Sequence, residues 1–180
     1  MPDAYQMLVT LRGSNPPIWR QIRVTADVTL ADLHEALQAV MGWEDCHLYD
    51  FRIRQTRYGM PDPDGLLRTE DARGARLSEA LPRVGRSFTY LYDFGDSWLH
   101  DILIEKIERN VPADQLPECT AGARACPPED CGGVWGYAEL LVALADPDHP
   151  DHETRTEWVG AWFDPERFDL EAANRRLHGG

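Results

Sequence analysis

Five stretches within the first 110 residues alternate apolar and polar side chains at period two, a rhythm that strongly restricts the fold. Tyr5, Met7, Val9 and Leu11 share one face of the first stretch. Asn15-Pro16-Pro17 then breaks the run, and alternation resumes through Ile18, Arg20, Ile22 and Val24. Residues 47–54, 87–93 and 97–107 repeat the pattern. Strands with one buried face read this way, because successive side chains point to opposite sides of a sheet. The first two stretches read as an antiparallel pair joined by a turn.

One helix interrupts this series. Thr29 offers an N-cap and Asp32 a negative charge at the third helical position, where the helix dipole favours it. Leu30, Leu33, Leu37, Val40 and Met41 follow at helical spacing, and Gly42 supplies a left-handed cap. Residues 57–86 form a long excursion with Pro61, Pro63, Gly65, Gly74 and Gly85, holding one helical turn at residues 77–81. Beyond Asn110 the segment carrying Pro112, Pro117, Pro127 and Pro128 is irregular, and helices are expected at 135–144, 153–163 and 165–177. Asp164 is expected to cap the last of these, with Pro165 in its first position. Strands first and helices last give an α+β fold. It would be a mostly antiparallel sheet of about five strands, with one early helix and a C-terminal helical segment packed on one side. The expectation is a single domain over 1–180, with sheet and helix in 1–110 and irregular loop and helices in 111–180.

The net charge of −13 limits the partners. An acidic chain repels phosphate backbones unless its cations are segregated, and here they are scattered, so nucleic acid is disfavoured. No basic-then-apolar leader opens the chain, and no apolar run is long enough to span a bilayer, so a cytoplasmic protein without membrane contact is expected. In that compartment the four cysteines read as thiols or metal ligands before disulfides.

The stretch from Cys126 to Tyr137 packs two thiols, two carboxylates, a Pro-Pro pair and a Gly-Gly pair into twelve residues. Such a run encodes a shaped loop. Cys119, Cys126 and Cys131, with Cys46-His47 as a further source, are candidate zinc ligands, although their spacing departs from the paired thiolates of structural zinc sites. Glu129 and Asp130 could hold a metal, act as a base, or cap the following helix. His34, His47 and His100 lean inward on separate elements, and Asp93 and Asp96 flank the turn before His100. If they met, two or three imidazoles with carboxylates would make a divalent-metal or acid–base site. The alternative is that each histidine is separately hydrogen-bonded at the border of the core. Asp93-Phe94-Gly95-Asp96 reads as a tight turn with a positive φ at Gly95 and aspartates capping amides.

Several phrases together carry a resemblance: Pro17-Ile18-Trp19-Arg20, Leu30-Ala31-Asp32-Leu33-His34, Met41-Gly42-Trp43, His47-Leu48, the run from Tyr90 to His100, Cys126 to Gly133, Trp135-Gly136-Tyr137 and Asp164-Pro165-Glu166-Arg167-Phe168. In this order they resemble the plasmid pRiA4b ORF-3-like proteins, also labelled passengers of insertion elements. The resemblance implies a single α+β domain, found on plasmids or near mobile elements, and no established reaction. The expectation is therefore a small binding or interaction module with a protein or small-molecule partner, its pocket between the 93–100 hairpin and the 126–133 loop. The alternatives are a metal-dependent hydrolytic enzyme built on the His/Asp cluster and a DNA-transaction accessory of a mobile element.

Overall fold

The computed structural model describes every residue except 63, 66, 67 and 180, so Pro63 of the long excursion lies outside the described residues. Strands β1 (Ala4–Leu11) and β2 (Trp19–Thr25) pair antiparallel from Ala4↔Thr25 to Thr10↔Trp19. Ser14 closes their turn: its hydroxyl donates to Leu11 O and accepts the Ile18 amide. Next come α1 (Leu30–Met41), β3 (Tyr49–Ile53), β4 (Thr56–Gly59), β5 (Glu70–Asp71) and a single helical turn, α2 (Leu77–Ala80). The hairpin of β6 (Ser87–Tyr92) and β7 (Trp98–Glu108) is followed by β8 (Glu118–Ala123), α3 (Gly133–Ala145), α4 (His152–Val159) and α5 (Leu170–Leu177).

The strands of the described residues join one eight-stranded sheet in the order β5-β4-β3-β6-β7-β1-β2-β8, antiparallel except for the β4–β5 pair. The expected count of about five was too low. β4, β5 and β8 escaped because they are short, polar or small-residue segments at the sheet's edges or, for β4, next to one. Such strands are held by ladder hydrogen bonds and leave no apolar alternation to read.

The period-two pattern divides the sheet into two faces. Tyr5, Met7, Val9, Ile22, Val24, Phe51, Tyr90, Trp98 and Ile102 are buried on one face. They form a single core with Leu30, Leu33 and Leu37 of α1 and with Tyr137, Leu140, Val159 and Ala173 of α3, α4 and α5. The alternate residues of the central strands form a polar ladder: Gln6 and Gln21 both donate to Glu105, and Arg23 pairs with Glu108 and Glu118. Among the described residues there are five helices, not only one early and one terminal segment.

The caps of α1 are as expected. The Thr29 hydroxyl accepts from Asp32 N at 3.0 Å, and Gly42 adopts φ 108° with its amide on Gln38 O. Its last carbonyls find donors from afar. Buried Arg20 donates to Val40 O, Met41 O, Trp19 O and Ala123 O, with the Phe168 ring 3.9 Å from its guanidinium, and Arg176 donates to Ala39 O. On β8, the Asn174 side chain occupies both the amide and the carbonyl of Cys119, closing that sheet edge.

Some boundaries differ from expectation. Gly160, at φ 84°, ends α4 at Val159, and Asp164 caps a turn by accepting the Glu166 amide. The final helix starts later, at Leu170, where Asp169 accepts from Ala172 N. Strand β3 begins at Tyr49, which leaves His47 in the connection after α1.

Candidate functional site

The connection between α1 and β3 is fastened at successive residues. The Asp45 amide donates to Gln38 Oε1 at 2.8 Å, the Cys46 amide donates to the Tyr92 hydroxyl at 3.1 Å, and Leu48 O accepts the Asp93 amide at 2.9 Å. This connection holds His47 beside the turn that links β6 and β7. In that turn Asp93 and Ser97, not Gly95, adopt positive φ, and the Asp93 Oδ1 atom accepts the Gly95 amide. Short polar side chains tolerate the left-handed conformation when they bond locally, so Asp93 serves as the corner that glycine was expected to supply.

The loop from Cys126 arrives from the other side. Asp96 accepts the Gly132 amide at 3.0 Å and ties this loop to the hairpin. Asp130, Gly132 and Gly133 all have positive φ, and a Cβ on Gly133 would lie 2.5 Å from Asp96 O. Gly136 is equally constrained: a Cβ there would stand 2.0 Å from Cys131 O. The glycines are therefore needed for the loop to lie against both the hairpin and the first turn of α3.

The result is a group of four side chains. From His47 Nε2 the nearest oxygens are Asp130 Oδ1 at 2.9 Å, Asp93 Oδ2 at 3.5 Å and Glu129 Oε2 at 3.9 Å. Each of the two enclosed carboxylates is oriented by its other oxygen. Glu129 Oε1 accepts the Glu44 amide at 2.8 Å and the Tyr92 hydroxyl at 3.0 Å, and Asp93 Oδ1 takes the Gly95 amide. Burial, reinforced by the Cys46 thiol and the Glu129 carboxylate, pushes the Tyr92 hydroxyl well above its ordinary range, so it stays protonated and donates. His47 Nε2 and Glu129 Oε2 are both buried without a hydrogen-bond partner, despite the short separations. Cys46 Sγ lies 3.6 Å from the Tyr92 hydroxyl at the rim of the same group. A cleft of about 840 Å³ opens beside it, lined by His34, Asp45, Cys46, His47 and Tyr49.

Residues 3–172 match the profile of the family described as Plasmid pRiA4b ORF-3-like protein. The chain belongs to that family. It is 44% identical over 172 residues to Uncharacterized protein y4hQ of Sinorhizobium fredii, an alignment covering 94% of this chain and 85% of that one. Its fold is similar to the crystal structure of MM3350, a protein of unknown function from Methanosarcina mazei, with a TM-score of 0.85 and 39% identity over 95% of this chain and 97% of that one.

Within this family member the three histidines do not converge. His34 stacks on Tyr49 at 3.6 Å and closes a ring of hydrogen bonds. Gln38 Nε2 donates to the Tyr90 hydroxyl at 2.8 Å, the hydroxyl sits 2.7 Å from His34 Nδ1, and His34 Nε2 sits 2.8 Å from Asp45 Oδ1. Since the Tyr90 oxygen already accepts from Gln38, its proton falls on Nδ1 and Nε2–H donates to Asp45. His100 is fully buried, with Nδ1 at Tyr90 O and Nε2 accepting from Trp43 Nε1. Burial lowers the His100 pKa to about 4 and also lowers that of His34. Both are satisfied neutral groups of the core.

The zinc set of Cys119, Cys126 and Cys131 does not assemble either. Among the described residues, the groups of three metal-capable side chains whose ligand atoms lie within 4.8 Å of one another are Cys46–His47–Glu129 and His47–Asp93–Asp130. The other thiols pack elsewhere, where burial pushes Cys119 up to about 11 and Cys131 up to about 12 and raises Cys126 as well. Thiols held neutral in this way are poor ligands. Asp96 stands outside the group as the tether of the loop. Tyr92 was missed as a functional residue because its strand alternation marks it only as core. Its hydroxyl matters because of what the loop brings to it.

Proposed function

We propose that this chain is a divalent-cation protein whose centre is His47, Asp93, Glu129 and Asp130. The reading rests on one observation: His47 Nε2 and Glu129 Oε2 are buried without hydrogen-bond partners while carboxylate oxygens stand 2.9, 3.5 and 3.9 Å from that nitrogen. Bonds of about 2.1 Å to one ion place neighbouring ligands roughly 3.0–3.4 Å apart, close to these spacings. Three carboxylates around one imidazole also leave a local excess of negative charge. A dication offsets that excess better than a single proton. The oxygens turned away from the centre already hold orienting donors, the arrangement that keeps ligands in place around a metal.

His47 also lines the cleft of about 840 Å³, so a cation bound to it would polarise a ligand there or lower the pKa of a water molecule. Asp130, the most exposed of the four, is placed to take the proton. That chemistry is metal-assisted hydrolysis. The test is calorimetric titration of chelator-stripped protein with Zn²⁺ and Mn²⁺. One equivalent should bind and raise the unfolding temperature, and His47→Ala should abolish both effects. No heat and no thermal shift with either ion would overturn the reading.

A second reading, a small binding module, is favoured by the groove on the far side of Glu129. Trp158 is 48% and Trp162 82% exposed there, facing Pro127 and Pro128 across about 600 Å³. Aromatic side chains left out of the core beside rigid prolines suit a ligand surface. A fragment screen read by tryptophan fluorescence tests it, with hits expected to lose their signal in Trp162→Ala.

A further inference from the structure

We propose that Cys46 is a ligand of this centre and decides which cation it takes, making it a mixed sulfur, nitrogen and oxygen site for zinc-like ions. The inference rests on the cation reading above and adds the identity of the metal. Two trios share His47. One is all nitrogen and oxygen, with Asp93 and Asp130, and the other brings Cys46 Sγ and a Glu129 oxygen within 4.8 Å of each other and of the histidine. An ion seated toward the first trio meets only hard oxygens besides the imidazole, a set that suits magnesium or manganese. An ion seated toward the second meets a thiolate, which selects zinc and cobalt over those.

Three features of Cys46 favour the second seat. Its main chain is pinned by the amide bond to the Tyr92 hydroxyl, so the side chain starts from a fixed position. The same hydroxyl donates to Glu129 Oε1, so one residue orients both members of the trio and leaves Glu129 Oε2 turned inward and unpartnered. Finally, Cys46 is exposed, whereas Cys119 and Cys131 are buried apolar filler, so packing gives no reason for a thiol at this position. Coordination is a proton exchange with no change of oxidation state: the S–H bond breaks, its proton leaves to solvent, and the thiolate electron pair binds the cation.

Cobalt(II) distinguishes failure of this proposal from failure of the cation reading. Chelator-stripped protein loaded with Co²⁺ should show visible ligand-field bands and a near-ultraviolet sulfur-to-cobalt charge-transfer band. Cys46→Ser should keep the ligand-field bands, lose the charge-transfer band and show a weaker preference for Zn²⁺ over Mn²⁺ in competition than the wild type. Circular dichroism checks that the variant is folded. If cobalt binds the wild type without the charge-transfer band, or if the band survives in Cys46→Ser, the role of Cys46 is wrong while the centre stands. If cobalt does not bind at all, both readings are overturned.

Discussion

The Tyr92 hydroxyl donates to Glu129 Oε1 at 3.0 Å, and this contact turns Glu129 Oε2 toward His47 Nε2, 3.9 Å away. The strand residue thus aims a carboxylate from a loop 37 positions along the chain. Tyr92→Phe removes the orienting donor and the acceptor for the Cys46 amide without touching the four proposed ligands. Cation affinity should fall by about 10–100-fold, the usual consequence of losing an outer partner of a ligand. Glu129→Gln should lose more affinity, since its amide oxygen can still satisfy Tyr92 and Glu44 while an NH₂ group replaces Oε2. Titration calorimetry of both variants beside wild type reads the order.

His100 makes folding stability depend on pH. In the folded chain its Nε2 lone pair accepts the Trp43 indole N–H and its pKa lies at about 4, against 6.5 for the unperturbed group. Protonation would set two N–H groups against each other. Between these values the unfolded chain binds the extra proton, so stability falls as pH drops from 6.5 toward about 4 and is level above that window. The loss from this group is about 3 kcal/mol. His34, shifted in the same direction, adds to it. Urea unfolding across the window should give a shallower pH slope for His100→Gln than for wild type.

Arg20 ties α1 to the far edge of the sheet. Burial lowers its pKa only to about 10, so it stays charged at neutral pH while serving four carbonyls. Arg20→Met fills similar space but leaves those carbonyls without donors, at about 1–3 kcal/mol for each that water cannot reach. A total loss above about 3 kcal/mol is expected, with Arg20→Lys intermediate because one ammonium cannot span the set. Chemical denaturation measures both.

Gly136→Ala tests the loop. The new methyl group would overlap Cys131 O, so the segment carrying Glu129 and Asp130 must move. Overpacking of this kind costs about 1–3 kcal/mol and should weaken cation binding together with stability. Gly74→Ala is the comparator, since its Cβ would meet nothing closer than Asp71 O at 3.7 Å, and it should change neither property.

Local signals in the chain determined much of this protein. Period-two alternation specified the central strands and which face they bury, and Thr29 and Gly42 specified both ends of α1. The linear motifs from Tyr90 to His100 and from Cys126 to Gly133 specified the family. These features depend on neighbours within a few residues, so they can be read along the chain. The tertiary structure decided what periodicity does not encode. β4, β5 and β8 exist because backbone groups found partners across the sheet. The end of α1 is capped by Arg20 and Arg176 from distant elements. The same division separates the histidines. All three carry similar local patterns, yet His34 and His100 are satisfied at the core, His34 with the single carboxylate of Asp45, and His47 meets the carboxylates of Asp93, Glu129 and Asp130. Those three come from a turn and a loop that positive-φ Asp93, Asp130, Gly132 and Gly133 bend toward His47.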